Sequence, residues 1–330
     1  MIEVDIRVPV GRPLPQLADF IQRCEAAGLH GVGVHDHHHS GRDVYVALAL
    51  AAARTSHLTL YPATSNAVTR HPLVLAALVN SLAEIAPGRV LLTLAPGFLS
   101  VERAGEPQAA RALLGEVVTQ VRGLLSGAPT RLGEQVTTLA HPVTPRPEVY
   151  ILAGGPRLLE LAGEVADGVL IFAGLHPDAI AAARAHVRAG AARAGRDPRA
   201  LGEIFVVTNA FEPLEQAREW PRRWFRPGLP FLEYPSRSNL RWLRAAGLEV
   251  PDTHDPRSIG PDLAARIADA FGLFGPPERC AERLLQAREE SGVEHVLLFP
   301  AHTAETSYDL PEADVEVFAS VLGPRLAAPG

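Results

Sequence analysis

The chain has no lysine: all 31 residues in its Lys+Arg count are arginine. This absence excludes chemistry that needs a side-chain amine, whether a Schiff base to a carbonyl, a phosphate-loop lysine or a carbamylated lysine bridging two metals. Arginine cannot take over, because its guanidinium stays protonated and serves neither as nucleophile nor as base. Proton chemistry therefore falls to the 13 histidines, the carboxylates, tyrosines and hydroxyls, or a bound cofactor. Cysteine is scarce as well. Cys24 and Cys280 lie far apart in helix-like stretches without ligand spacing, so they read as buried free thiols in a reducing cytoplasm. No apolar run approaches the roughly 20 residues of a membrane span. Met1 to Ile6 alternates like a strand and lacks the basic and apolar regions of a signal peptide, which makes a cytoplasmic location the expectation. With 31 cations against 37 acids the formal net charge is −6, giving no reason to expect nucleic acid as a partner.

What is present is an alternation. Short apolar runs at Ile2 to Val10, Gly31 to Asp36, Leu58 to Ala63, Val90 to Ala95, Val149 to Ala153, Gly168 to Phe172, Ile204 to Asn209 and Glu294 to Phe299 read as strands. Helical patterns follow at Pro15 to Ala27, Val44 to Arg54, Pro72 to Ile85, Pro156 to Val165, Asp178 to Ala194 and Pro277 to Ser291. Apolar strands alternating with helices predict a parallel sheet covered on both sides. Eight such units in 330 residues favour a (β/α)8 TIM barrel, one domain over residues 1–330, over a doubly wound sheet with a second domain. Two stretches exceed the minimal unit and predict insertions after strands 4 and 7. Phe98 to Pro147 holds an extra helix, Ala109 to Leu125. Glu212 to Phe271 holds an arginine- and tryptophan-rich stretch starting at Trp220 and a further helix, Pro261 to Phe271. Such excursions usually build over the catalytic mouth.

In a parallel barrel the catalytic groups sit at the carboxyl ends of the strands, so the residues just after each apolar run are the informative ones. The second run ends in His35-Asp36-His37-His38-His39. That cluster admits three readings: chelation of one metal by alternating histidines with His176, His254 or His302 as distant ligands, loop histidines without chemistry, and a general acid/base. The fifth run ends in Gly154-Gly155-Pro156 before a helix. Two glycines let a ligand approach the backbone, proline suits the first helical turn, and the amides of that turn can hold an anion. A purely structural glycine turn is the competing explanation.

Several corners then combine. Val32-Gly33-Val34-His35-Asp36-His37, Asn66-Ala67-Val68-Thr69-Arg70-His71-Pro72, Ala86-Pro87-Gly88-Arg89-Val90-Leu91-Leu92, Ala153-Gly154-Gly155-Pro156, Ala166-Asp167-Gly168-Val169 and Phe274-Gly275-Pro276-Pro277-Glu278 together resemble the luciferase-like monooxygenase superfamily. The resemblance runs from the first strand to the eighth and is strongest to the branch that uses the deazaflavin coenzyme F420, which includes methylene-tetrahydromethanopterin reductase. It implies an F420-dependent oxidoreductase in which Asp36 contacts the deazaflavin and His37 moves a proton as hydride passes to or from a small organic substrate. It also implies that Ala63, Thr64, Ser65 and Asn66 form a corner with a non-prolyl cis peptide backing the ring, and that Gly154, Gly155 and Pro156 receive the cofactor phosphate. Asp167 and Gly168 read as structural. A homodimer and a separate F420-regenerating enzyme are implied in the same way, and no metal is.

Two departures bear on the substrate. The glucose-6-phosphate dehydrogenase of this branch has a glutamate at the corner after strand 4 and an aromatic residue four positions beyond the histidine, where this chain has Phe98 and Gly41. The expectation moves from a sugar phosphate to a flatter, more apolar substrate against Phe98, Phe172 and Trp224. Arg42, Arg70, Arg157 and the Arg222-Arg223 pair are the candidates to hold the cofactor's acidic tail. The rival readings are an FMN-dependent monooxygenase of the same superfamily and a metal-dependent TIM-barrel hydrolase.

Overall fold

The computed structural model describes residues 2–226, 229–230, 237–252 and 255–327. Eight parallel strands form its centre: β1 (Glu3–Val8), β2 (Gly31–Val34), β3 (Thr59–Pro62), β4 (Leu91–Ala95), β5 (Glu148–Ala153), β6 (Gly168–Ile171), β7 (Gly202–Ala210) and β8 (His295–Pro300). Hydrogen bonding runs β3-β2-β1-β8-β7-β6-β5-β4, and a parallel bridge from Leu60 to Val90 joins the two ends. The fold is therefore the expected TIM barrel. Strand β1 stops at Val8 rather than Val10, since Pro9 cannot donate to a ladder. Strand β3 is interrupted by a cis peptide between Ala63 and Thr64, and the chain resumes as Ser65–Asn66 paired with Leu94 and Ala95 of β4.

Side chains alternate across each strand, and the alternation makes two cores. On β1, Val4, Ile6 and Val8 join Leu17, Phe20 and Ile21 of the helix Leu14–Ala26 in the shell between strands and helices. Asp5 and Arg7 of the same strand turn into the barrel. At its amino end Asp5 accepts a 2.6 Å hydrogen bond from Tyr61 and pairs with His295 at 2.9 Å. Burial opposes a charged His295, yet the Asp5 carboxylate raises its pKa. The Tyr150 ring fills the neighbouring space only because β6 and β7 begin with Gly168 and Gly202, where any Cβ would run into that ring. The carboxyl end is less tightly filled, and there the barrel opens into a cavity.

Asp167, just before β6, has the structural role expected of it. It accepts hydrogen bonds from Arg122 and Arg146 and from the backbone N–H of Val149. Burial would raise its pKa, but these donors, Arg146 first, hold the carboxyl at about 2 against an ordinary 3.8. A carboxyl depressed in the fold stabilises above its unfolded value and loses that contribution as pH falls from about 4 to 2. Asp167→Ala leaves two guanidinium groups facing a void, and a loss of about 3–5 kcal/mol is expected in urea denaturation at pH 7.

The insertion after β4 differs from expectation. The helix Arg111–Leu125 packs between the helices Pro72–Ile85 and Pro156–Val165, so it is the barrel's own helix rather than an extra one. The additions are a short helix, Leu99–Arg103, before it and a hairpin, Thr130–Leu132 with Gln135–Thr137, after it. The insertion after β7 carries helices Ser238–Ala245 and Pro261–Phe271 and a short strand, Gly272–Phe274, paired with β7. The side chain of Trp224, and His254, lie outside the described residues. Cys24 and Cys280 are buried free thiols, each raised by burial to about 12. Native protein is therefore expected to resist a thiol reagent such as DTNB, with both thiols reacting in denaturant. No helix among the described residues is long and apolar enough to cross a membrane.

Candidate active site

The carboxyl ends of the strands surround an open cavity of about 1380 Å³. Its inner end is lined by Arg7, His35 and His37, one wall by Ala63, Thr64 and Phe98, the opposite side by Leu170, Phe172 and Phe299, and its outer end by Gly154, Gly155, Pro156 and Arg157. Of the residues expected from sequence, His37, Ala63, Thr64, Gly154, Gly155, Pro156, Phe98 and Phe172 are thus brought together. Phe172 is buried and leans on Phe271 and Phe299, with ring centroids 5.4 and 6.2 Å apart, which fixes the apolar side.

Asp36, Ser65 and Asn66 are placed differently. They do not line the cavity but lie behind it, fully buried. Asp36 accepts hydrogen bonds from Ser65 at 2.5 Å and from both terminal nitrogens of Arg70 at 2.6 and 3.2 Å, and His38 lies 3.3 Å away. Arg70 in turn reaches Asp43, whose other oxygen caps the helix Val44–Ala52. Asn66 Oδ1 accepts from the backbone N–H groups of Val68 and Thr69, closing its own turn. A buried carboxylate takes the strongest donors within reach, and here these are Arg70 and Ser65 rather than a ligand. Asp36, expected to contact a cofactor, has its oxygens engaged by these donors behind the cavity lining, where it locks the turn after β3 to the turn after β2 beside His37 and the Ala63–Thr64 peptide. The same pairing removes Arg70 from the candidates for an acidic tail. Arg42 donates to the backbone carbonyl of Val10, Arg222 pairs with Glu219, and Arg223 covers the Trp220 ring. Of the five arginines only Arg157 lines the cavity.

The histidines separate by environment. His37 is partly buried, and its Nδ1 lies 3.0 Å from the Tyr308 hydroxyl. Burial, with the Arg7 cation and the neighbouring His39 and His38, pushes its pKa down to about 3. Burial and Arg7 lower His35 as well, and bring His302 to about 3. Arg7 sits between His35 and His302, 4.3 Å above the Phe299 ring. At neutral pH this end of the cavity carries one guanidinium, Arg7, and two uncharged imidazoles, His35 and His37, with an uncharged His302 behind Arg7. His71 and His176 accept from backbone N–H groups at the starts of the helices Pro72–Ile85 and Pro177–Arg193, which are capping roles. Among the described residues no three His, Cys, Asp or Glu side chains are arranged to hold a metal ion.

At the outer end, the helix Ser238–Ala245 folds over the glycine turn. Trp242 donates to the Gly154 carbonyl at 2.7 Å, and a Cβ on Gly155 would come within 2.7 Å of the Ser238 hydroxyl. Arg237, Arg241 and Arg244 of this region line the cavity beside Arg157, with Arg244 held by Asp252. Sequence reading missed this arginine group, Arg7 and Phe299. Arg7 left a signal, a lone cation in an apolar strand. The helix Ser238–Ala245 left none, since nothing local says where an insertion folds.

The family model described as luciferase-like monooxygenase matches residues 2–295. The chain is 34% identical over 289 residues to the 5,10-methylenetetrahydromethanopterin reductase of Methanolobus tindarius, covering 82% of this chain and 86% of that one. It is 30% identical over 303 residues to the reductase of the same name from Archaeoglobus fulgidus, covering 86% and 88%. The solved coenzyme F420-dependent tetrahydromethanopterin reductase of Methanopyrus kandleri superposes with a TM-score of 0.70 at 21% identity, covering 98% of this chain and 99% of that one.

Proposed function

The chain belongs to the luciferase-like monooxygenase family as an oxidoreductase of its F420-dependent kind, and on that premise we propose that it transfers a hydride between coenzyme F420 and a small, largely apolar organic substrate. The observation that carries the reading is a single cavity with an uncharged imidazole, His37, at one end and a glycine turn ringed by arginines at the other. The residues present fit the cofactor. Gly155, having no Cβ, lets its backbone be approached closely, as the Ser238 hydroxyl already does, and the start of the helix Pro156–Val165 offers backbone N–H groups for a phosphate. Arg157, Arg237 and Arg241 would hold an acidic tail, and Ala63 and Thr64 would back the ring.

When bound, the deazaflavin supplies the two-electron hydride chemistry. The protein's residues do the rest. His37 holds or gives up a proton at Nε2, the ring nitrogen left for the cavity once Nδ1 is engaged by Tyr308. Phe98, Phe172 and Phe299 exclude water and orient the substrate, and Asp36 positions His37 through the Arg70 and Ser65 contacts. A carbonyl, imine or enone suits an apolar pocket that must protonate one atom as its neighbour gains hydride. We include in the proposal a homodimer in the cytoplasm, with a separate enzyme regenerating the cofactor.

Equilibrium dialysis of the protein against F420 and against FMN tests the reading. Saturable F420 binding, followed by loss of reduced-F420 signal with a ketone, enone or imine, is the expected result. Tight FMN binding with none of F420 would replace it by the FMN-dependent monooxygenase reading.

A further inference from the structure

His37 is only one end of a chain of polar atoms. Its Nδ1 lies 3.0 Å from the Tyr308 hydroxyl, and that hydroxyl lies 2.8 Å from Nε2 of His39, an exposed residue. The three rings pack in contact: His37 and His39 stack with centroids 5.4 Å apart, and Tyr308 meets both edge-on, at 5.9 and 6.1 Å. The contact is built by distant segments. His39 lies on the 3-10 turn His38–Ser40 after β2, and Tyr308 on the loop after β8. That loop sits against Gly11, where an added Cβ would overlap the Tyr308 backbone carbonyl. A side chain at position 11 would therefore displace the tyrosine.

We propose that Tyr308 and His39 form a proton relay that connects His37, inside the cavity, to solvent. The inference rests on the proposed role of His37 and adds the route by which its proton is replaced. One hydroxyl proton lies between two imidazole nitrogens, so the tautomers of the two rings are linked. In one state Tyr308 donates to His37 Nδ1 and accepts from His39 Nε2–H, and His37 carries its own proton on Nε2. When that proton leaves to the substrate, His37 Nδ1 takes the tyrosine proton, the tyrosine takes the one on His39 Nε2, and His39 Nδ1 takes one from water. One proton enters at the surface, one leaves in the cavity, and no ring ends charged. Run backward, the same steps carry a proton out. Both rings favour the uncharged form that such an exchange needs. Burial, with Arg7, His39 and His38, lowers His37, and burial, with Arg103 and His38, lowers His39.

The test is ring nitrogen NMR on histidine-labelled protein, with turnover as a second readout. At pH 7 the wild type is expected to show the same tautomer on His37 and His39, and Tyr308→Phe to unlink them. In Tyr308→Phe and His39→Gln, F420 affinity is expected to stay within about twofold while kcat falls roughly tenfold to a hundredfold with an altered solvent deuterium effect. A Gly11→Val variant, which displaces the loop with the hydroxyl retained, is expected to behave like Tyr308→Phe. Opposite tautomers in the wild type, or unchanged kcat in Tyr308→Phe, would overturn the relay. Linked tautomers in a protein that binds no F420 would overturn the cofactor reading and uphold the relay.

Discussion

Gly155→Val is expected to weaken F420 binding by about a hundredfold or more, with little change in thermal stability. The position lines the cavity at the start of the helix Pro156–Val165, and a branched side chain there, crowded by the Ser238 hydroxyl, would stand between the backbone N–H groups and a phosphate. Each hydrogen bond from a backbone N–H to a charged group contributes about 1.5–3 kcal/mol, so displacing the phosphate from two of them accounts for the loss. Size is the discriminating variable. In Gly155→Ala the new methyl meets only the Ser238 hydroxyl. A milder effect, about tenfold, is expected there, with recovery when Ser238→Ala is added. Dialysis or fluorescence titration with F420 reads all three variants. Unchanged affinity in Gly155→Val would mean that the turn is structural and that the cofactor lies elsewhere.

The second large effect is on the chemical step. His37→Gln is expected to lower kcat by about a hundredfold to ten-thousandfold, as for the loss of a positioned acid or base, with F420 affinity nearly unchanged. The pH profile carries further information. With its pKa pushed down to about 3, His37 is neutral across the working range, so kcat should show no limb near 6.5 from this residue. A limb at 6.5 that disappears in His37→Gln would show an imidazolium acting instead. The same depression affects folding. The unfolded chain takes up protons near 6.5, while folded His37 and His302 do so only near 3, so stability falls as pH drops from about 6.5 toward 3. Removing His37 should make that decline shallower.

Much of the fold was legible in local pattern. The helices Pro72–Ile85, Pro156–Val165, Pro261–Phe271 and Pro277–Ser291 were bounded correctly because each begins with proline, whose fixed φ suits the first helical turn. The stretch Ala109 to Leu125 reads as an extra helix, whereas the helix Arg111–Leu125 belongs to the barrel, because amphipathicity shows that a helix has one buried face and not which neighbours cover it. Asp36 shows the same limit in the site. Its place beside His37 in the chain suggested a shared role at a ligand, but adjacent residues after a strand point to opposite sides, and its side chain turned toward Arg70 and Ser65.

The absence of lysine and the order of the strand ends determined by themselves that amine chemistry is excluded and that His37 and the Gly154-Gly155-Pro156 turn belong at one face of a barrel. Those are properties of residue type and strand period, which are local. Tertiary structure alone decided that Arg7 lines the inner end while stacked on the Phe299 ring, that the helix Ser238–Ala245 brings arginines to the glycine turn, and that Tyr308 joins His37 to His39. Each of these pairs residues from distant parts of the chain. Their meeting depends on barrel closure and on where the loops fold, a balance of burial and hydrogen bonding that no short stretch of sequence contains.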